Sequence, residues 1–164
     1  MNSPGHAIGH ICALARTTPD TFVFLAGDAC HHAGVLRPSE RVPLPKDVVP
    51  NPLEPLHSDR LYTPCPGAIF EALHPQRSSR EPFYTFPDVP DGKGVNHNRV
   101  DALKTREKMI EFDADDNVFM LIAHDPTIIG VVDVFPKGAN EWKAKGWKDK
   151  SRWRFLGDFD HSNL

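Results

Sequence analysis

The sequence predicts an α/β fold: mostly one mixed sheet, with flanking helices and a long proline-rich insertion. Two apolar runs separated by turn residues predict a hairpin near the N-terminus. Farther along, apolar residues at helical spacing come just before a buried apolar run, which predicts a helix followed by a strand. The 164 residues suffice for one domain with a real core and are too few for two ordinary ones. We therefore expect a single domain over residues 1–164.

The predicted hairpin comprises residues 11–16 and residues 21–26. The first run, ICALAR, is largely apolar, and the second, TFVFLA, is rich in the β-branched and aromatic residues that favour strands. Between them lie Pro19 and Asp20, which are typical of turns because proline presets φ and aspartate bonds its own backbone. The two runs are therefore expected to pair as neighbouring strands.

A proline-rich segment follows the hairpin. Twelve of the 16 prolines lie between residues 38 and 90, and proline removes backbone donors and disfavours helix at the residue before it. We expect residues 38–95 to form a long insertion over the surface, interrupted by one helical turn at Gly67–Leu73. A loop of this length serves either as a functional lid or as a disordered segment. The sequence does not decide between the two.

A helix and a strand are expected after this insertion. Apolar side chains at helical spacing, with charged residues between them, predict a helix over residues 99–112. Asn98 is its expected N-cap, with an aspartate three residues farther on. The run VFMLIA at residues 118–123 predicts a buried strand, and residues 127–135 form either another strand or a loop.

Basic residues alternate with tryptophans in the tail, residues 136–164. This pattern is more typical of an amphipathic surface helix, at about residues 139–145, than of a nucleic-acid footprint, and a short element is expected at residues 153–155. The whole chain has a net charge of −3, which gives no electrostatic basis for binding nucleic acid or an anionic membrane. A small-molecule substrate is the partner that we expect.

The cysteines and the hydropathy favour a cytoplasmic protein. Cys12, Cys30 and Cys65 form no CxxC pair and are odd in number, which argues against a disulfide framework and favours a reducing compartment. No apolar run approaches the ~18 residues needed to span a bilayer. No basic stretch followed by an apolar one marks a secretory signal. We expect a soluble, intracellular chain.

Three polar clusters stand at the ends of the predicted strands. The first contains His6 and His10, whose spacing would place both on one face of a helix, as in HExxH zinc proteases. However, Pro4, Gly5 and Gly9 argue against a helix, and no glutamate follows the first histidine. In a loop that enters the first strand, His10 is either a metal ligand at the strand edge or a turn residue bonded to backbone.

The other two clusters follow the second hairpin strand and the strand after the helix. Asp28 comes after an apolar strand and a glycine, a common place for a ligand carboxylate at the carboxyl end of a sheet, although aspartate is equally common there as a cap. The pair His31 and His32 favours a metal slightly, but adjacent strand residues point apart. His124, followed by Asp125, suits either a ligand with its orienting carboxylate or a strand-end histidine beside a cap.

In this order and spacing, the three clusters resemble motifs of the metallo-β-lactamase superfamily, which includes glyoxalase II and the N-acyl-homoserine lactonases. SPGHAIGHI at residues 3–11 resembles the TPGHTPGH motif, FLAGDA at residues 24–29 resembles the strand with the GD motif, and LIAHD at residues 121–125 resembles the final strand and its histidine. The histidine pair and the LRP run after it look most like fungal-type members. The resemblance covers about residues 1–130.

The resemblance implies the C-terminal part of a four-layer αββα sandwich. It also implies two zinc ions and hydrolysis of an ester, lactone, thioester or lactam by a metal-bound hydroxide. By this analogy His10 is a ligand of the first metal, His124 is a ligand of the second, and Asp28 is the catalytic carboxylate that bridges both. His6 matches the non-ligand histidine of the motif, and Ile8 departs from its second proline.

The superfamily's HxHxDH motif is absent from these 164 residues. By analogy each metal keeps Asp28 and one histidine and loses two ligands, so reduced zinc occupancy is expected. The chain is then either a truncated metal-dependent hydrolase or a non-catalytic remnant that binds a partner. Since the facing sheet would be missing, an exposed apolar sheet face is expected to lower solubility or to pair two copies in a homo-oligomer.

Overall fold

A small mixed sheet and one long helix organise the fold. The computed structural model describes residues 1–89 and 94–159. In chain order its strands are β1 (Ala13–Arg16), β2 (Phe22–Gly27), β3 (Asp47–Val48), β4 (Cys65–Pro66) and β5 (Val118–Ile122). Its α-helices are α1 (Gly67–Leu73), α2 (Arg99–Ala114) and α3 (Trp147–Ser151), and short 3-10 helices cover Ala33–Val35, Pro126–Ile128 and Arg154–Phe159.

The main sheet has the strand order β1-β2-β5. The pair β1–β2 is the predicted antiparallel hairpin, and β2–β5 is parallel, so the prediction of one mixed sheet in an α/β fold is confirmed. A second sheet consists of β3 and β4 alone. The four-layer sandwich that the resemblance implies stays a prediction.

One face of the main sheet packs against α2. Phe24 and Met120 from the sheet lie in one buried cluster with Ala102 and Met109 from the helix. Asn98 caps the helix as predicted, because its side chain accepts a hydrogen bond of 3.0 Å from a backbone N–H three residues on. The helix ends two residues later than expected, and one of its apolar residues, Val100 in the first turn, is 60% exposed.

Two tryptophans cover part of the other sheet face. Trp142 and Trp147 are buried with Val23 and Phe119, and the rings of Phe119 and Trp142 stack with centroids 5.6 Å apart. The uncovered apolar face that the sequence predicted is therefore reduced to the part beyond these rings, where Leu25 is 45% exposed. This correction arises because the tail folds back onto the sheet.

The proline-rich segment is not the surface excursion that its composition predicted. Its apolar side chains form a second buried cluster with residues of the tail, and the members of that cluster include Val42, Leu44, Val48, Phe70, Trp153, Phe155 and Leu156. The helical turn α1 lies where it was expected. Regular structure in this segment is limited to β3, β4 and α1. Proline disfavours longer elements, but it does not prevent burial of the side chains between the prolines.

The tail also differs from its prediction. The expected helix at residues 139–145 is a series of turns, and the helix begins later, at Trp147. Residues 127–135, for which the sequence predicts either a strand or a loop, consist of the end of a 3-10 helix and irregular backbone. None of the helices in the part of the chain that the structure describes is both long and apolar enough to cross a bilayer.

Candidate metal centre

The parallel pairing of β2 and β5 brings two of the predicted site residues together. Asp28 follows β2 and His124 lies just beyond β5, so both stand at the carboxyl edge of the same two neighbouring strands. His124 Nε2 lies 3.0 Å from Asp28 Oδ1, within hydrogen-bonding distance. The parallel pairing therefore brings the two side chains into contact, although the residues are far apart along the chain.

The backbone is unusual at the ends of both strands. Gly27 has a φ of +55°, and a Cβ atom there would lie 3.2 Å from His10 Nε2. Glycine is favoured at such a position because it adopts positive φ without steric cost and leaves room for the imidazole. His124 itself has a φ of +60°, which is uncommon for a residue with a side chain and often marks a functional position.

His10 is held by hydrogen bonds at both ring nitrogens. Its Nε2 accepts from the backbone N–H of Asp28 at 3.1 Å, and its Nδ1 lies 2.9 Å from Ser3 Oγ. A neutral ring that accepts at Nε2 carries its proton on Nδ1, so Nδ1 donates to the serine. His10 thus fixes the backbone at Asp28, and coordination of a metal would require one of these two hydrogen bonds to break.

Unlike His10, His6 has a ring nitrogen that makes no hydrogen bond with the described residues. Its Nδ1 is buried and has no hydrogen-bond partner among the described residues. Its ring lies 5.0 Å, between centroids, from the ring of His31. The loop around it rests on α2: Gly5 has a φ of +128°, and a Cβ atom there would lie 2.2 Å from the backbone nitrogen of Ala102. Only glycine lets the loop approach the helix this closely.

The two adjacent histidines after Asp28 point apart. His31 Nε2 lies 3.4 Å from Asp28 Oδ1, and the His31 ring stacks on that of His124 with centroids 5.4 Å apart. His32 turns away, since its Nδ1 accepts from the Gly34 N–H at 2.9 Å and its Nε2 lies 2.9 Å from a carboxylate oxygen of Asp158. Only the first of the pair faces the site.

Burial and nearby rings favour the neutral form of His31. Partial burial and the neighbouring His6 lower its pKa below the ordinary value, outweighing the opposite influence of Asp28. A neutral imidazole has a free lone pair, which is the form that binds a metal. Three side chains each offer one ligand atom, and these atoms lie within 4.8 Å of one another: His6, Asp28 and His31. Imidazole and carboxylate together suit zinc and similar ions.

Two members of this group were not among the site residues predicted from the sequence. The resemblance implied that His6 is a non-ligand, and His31 was only a weak indication. The signal that could have found His31 is its position three residues after Asp28 in a loop, because a loop permits both side chains to face one point. Nothing in the sequence alone shows that both nitrogens of His10 are already hydrogen-bonded.

Curated proteins of several fungi contain a segment similar to this chain. A protein named gamma-lactamase from Fusarium pseudograminearum is 47% identical over 161 residues, which are 97% of this chain and 37% of that protein. A protein named metallo-hydrolase from Annulohypoxylon moriforme is 40% identical over 171 residues, 97% of this chain and 39% of that protein. This similarity confirms the resemblance to metallo-β-lactamase-type hydrolases.

The similarity covers most of this chain but only part of each relative. The chain spans well under half the length of the curated relatives that it matches. A protein named cytochrome P450 monooxygenase, from Penicillium roqueforti, is 41% identical over 164 residues, which are only 16% of its length. No protein-family model and no solved structure matches the chain.

Proposed function

We propose that this chain supplies part of the active site of a metal-dependent hydrolase that opens ester, lactone, thioester or lactam bonds. The observation that carries the proposal is the 3.0 Å contact between His124 Nε2 and Asp28 Oδ1 at the carboxyl edge of β2 and β5, with further histidine nitrogens close by. The names of two relatives, gamma-lactamase and metallo-hydrolase, support this reaction class. Among the four bonds, the first name favours a lactam.

The residues present fit a borderline divalent ion such as zinc. The group combines neutral imidazole and carboxylate, and the buried His6 Nδ1 has no other partner among the described residues. Asp28 and His124 remain the proposed ligands at the strand ends. Zinc, when bound, lowers the pKa of coordinated water and polarises the substrate carbonyl. A pair of ions bridged by Asp28 stays the arrangement that we propose for a longer protein.

The chain's own groups hold the carboxylate in place. Asp28 Oδ1 lies 3.0 Å from His124 Nε2, and the backbone N–H of Asp28 donates a hydrogen bond of 3.1 Å to His10 Nε2. The side chain and the backbone of one residue are therefore fixed by two different histidines. We assign His10 an orienting role behind the site, because such supporting hydrogen bonds set ligand geometry and typically change metal affinity or activity by about 10–100-fold.

A chimaera provides the test. This chain would replace the matching 161 residues of the gamma-lactamase from Fusarium pseudograminearum, which supplies the rest of the protein. We expect the chimaera to open a simple γ-lactam, and we expect Asp28→Asn to abolish that activity. Asp20→Asn is the matched control, since Asp20 is exposed in the turn at the far end of the hairpin.

The readout is ring opening followed by chromatography, with lactone and thioester substrates assayed in parallel. Activity on lactones or thioesters alone would support the proposed hydrolase but would show that its substrate is not a lactam. A folded, zinc-loaded chimaera that hydrolyses none of the three would overturn the proposal and favour the non-catalytic alternative. Folding is checked by far-ultraviolet circular dichroism and metal content by elemental analysis.

A further inference from the structure

We infer that the loop after β5, residues 128–136, is a surface that binds an apolar group of the substrate, such as an alkyl or phenyl substituent. The inference rests on the proposed function and adds a substrate class to it. The loop presents apolar side chains to solvent: Ile129, Val134 and Phe135 are 73%, 74% and 93% exposed. Contiguous exposed apolar surface commonly marks an interface or a ligand site.

The exposed side chains line an open cavity of about 610 Å³. Small-molecule sites commonly have volumes of about 300–1,000 Å³ and mainly apolar walls. Apolar side chains make up most of this wall, namely those of Ile128, Ile129, Val132, Val134, Phe135 and Pro136. The cavity therefore has room for a phenyl ring or a short alkyl chain, and such a group would cover part of the exposed ring of Phe135.

The charged groups beside the cavity neutralise one another. The carboxylate of Asp133 accepts hydrogen bonds from Lys137 Nζ at 3.0 Å and from Lys145 Nζ at 2.8 Å. Lys145 Nζ also lies 3.5 Å from a carboxylate oxygen of Glu141. Two ammonium groups thus balance two carboxylates. A charged substituent would find no unpaired counter-charge among these four groups, whereas a neutral apolar substituent needs none.

Internal contacts hold the loop in this shape. The backbone N–H groups of Val131 and Val132 both donate to the carbonyl of Ile128, at 3.0 Å and 3.2 Å. Val132 also packs against the buried cluster that contains Trp142 and Trp147. The exposed side chains therefore extend from a backbone that is already fixed. A surface of this kind binds a ligand without the entropy cost of ordering a loop.

One turn of 3-10 helix joins the loop to the candidate metal centre. Asp125, the residue after His124, caps this turn, because its side chain accepts a hydrogen bond of 2.9 Å from the Thr127 N–H. Ile128 is four residues from His124, and four residues of fully extended chain span at most about 14 Å. The apolar surface consequently begins within reach of a substituent on a small substrate whose reacting bond lies beside His124.

The competing explanation is that the loop only joins two copies of the chain, since exposed apolar surface also favours association. Substitutions of one side chain separate the two explanations. Phe135→Ser removes the ring without creating a buried cavity, because the ring is 93% exposed. Phe135→Leu retains an apolar side chain. Leu73→Ser is the matched control, since Leu73 is 43% exposed at the end of α1 and lies outside the loop.

The chimaera with the gamma-lactamase from Fusarium pseudograminearum is assayed with an unsubstituted γ-lactam and with a γ-lactam that carries a phenyl group on a ring carbon. We expect kcat/KM to favour the phenyl compound by about 10-fold, because apolar contacts of this size contribute such selectivity. Phe135→Ser should abolish the preference by raising KM for the phenyl compound alone. Phe135→Leu should retain most of the preference, and Leu73→Ser should match the wild type. If the chimaera opens only lactones or thioesters, the corresponding pair of compounds is used.

Two kinetic results would overturn the inference and leave the proposed function intact. One is equal kcat/KM of the wild type for the two compounds, and the other is an equal effect of Phe135→Ser on both. Gel filtration of the same variants tests the competing explanation. If Phe135→Ser converted a dimer into a monomer and left the preference unchanged, the loop would be a contact between copies and the inference would be wrong.

A second measurement does not depend on catalysis. Saturation-transfer NMR on the full chain, with the phenyl-substituted γ-lactam as the probe, detects contact between the protein and the phenyl protons. We expect transfer to these protons in the wild type and in Leu73→Ser, and its loss in Phe135→Ser. Transfer that depends on Phe135, together with an inactive chimaera, would support the surface without the hydrolase. No transfer from the folded wild-type chain, or equal transfer from Phe135→Ser, would overturn the inference.

Discussion

In the interior of the protein, the guanidinium of Arg37 donates two hydrogen bonds to the carboxylate of Asp113. Nε donates to one carboxylate oxygen at 2.8 Å and Nη2 donates to the other at 2.6 Å. Both side chains are at most 9% exposed. The pair joins the start of the proline-rich segment to the last turn of α2. Arg37 also donates to the backbone carbonyl of Arg152 at 2.8 Å, so one guanidinium connects three parts of the chain.

Removing the carboxylate charge from this pair should destabilise the protein strongly. Asp113→Asn leaves a buried guanidinium without its counter-charge, and breaking a buried pair in this way costs about 3–5 kcal/mol of unfolding free energy. Glu40→Gln is the matched control, because the Arg80–Glu40 pair is on the surface and such pairs contribute about 0–1 kcal/mol. Urea denaturation measures both. Equal effects of the two substitutions would contradict the importance of burial.

The same pair should make stability depend on acid. Burial alone would raise the pKa of Asp113, but the charge and hydrogen bonds of Arg37 outweigh it and hold the pKa below its usual value. The unfolded chain then takes up this proton at a higher pH than the folded chain. The contribution to stability is therefore complete above the ordinary value of 3.8 and declines as the pH falls below it. Asp113→Asn should lose this part of the pH dependence in denaturation measured from pH 6 to pH 2.

A single substitution of Asp28 should remove both ions from the proposed two-metal site. In the chimaera, Asp28→Ala is expected to remove both zinc ions, because the proposed bridging carboxylate serves each of them. His124→Ala is expected to remove one ion and to leave the other. Elemental analysis after dialysis against a weak chelator gives the stoichiometry. Retention of either ion by Asp28→Ala would rule out the bridging role.

The contact between the His6 loop and α2 should tolerate no side chain at Gly5. A Cβ atom there would lie 2.2 Å from the backbone nitrogen of Ala102, at a φ of +128°. Gly5→Ala should therefore lower the unfolding free energy by about 1–3 kcal/mol. It should also weaken zinc binding by the chimaera, since the displaced loop carries His6.

Gly138→Ala is the control for this substitution. Its Cβ atom would meet nothing closer than Asn140 Oδ1 at 4.0 Å, and its φ is not in the left-handed region. We expect this variant to match the wild type in both thermal unfolding and metal titration. If Gly5→Ala behaved in the same way, the tight approach of the loop to the helix would be refuted.

Self-association should depend on an exposed apolar surface beyond β5. Ile129, Val134 and Phe135 are 73%, 74% and 93% exposed, which is a larger exposure than that of Leu25 on the uncovered part of the sheet. Such patches favour association. Phe135→Asp should reduce association of the chain, measured by light scattering after gel filtration. If Leu25→Thr reduced association more than Phe135→Asp, the exposed sheet face would be the contact between copies instead.

Elements that are determined by neighbouring residues could be predicted from the sequence. The hairpin follows from its turn residues, and α2 begins at Asn98 because that side chain caps it. The burial of the proline-rich segment could not be predicted in this way. It depends on a buried cluster whose members include Val48 and Phe155, which lie more than a hundred residues apart in the chain. The tail helix was misplaced because its tryptophans are fixed by the sheet face rather than by helical periodicity.

The candidate site shows the same division. Asp28 and His124 could be placed because the ends of parallel strands meet at one edge of a sheet. The different orientations of His31 and His32 could not be predicted, since they depend on the hydrogen bond between His32 and Asp158. Nor could the distinction between His6 and His10, which depends on a hydrogen bond from the backbone of Asp28.

The parallel pairing of β2 with β5 sets the order of events during synthesis. Asp28 and His124 are 96 positions apart, so the ribosome must add most of the chain before the second residue exists. Contacts of such long sequence separation form slowly, because the intervening chain must be ordered first. The imidazole–carboxylate contact is therefore a late event in folding. A nascent chain that stops before Val118 would carry His6, Asp28 and His31 but would lack the neighbouring strand that aligns them.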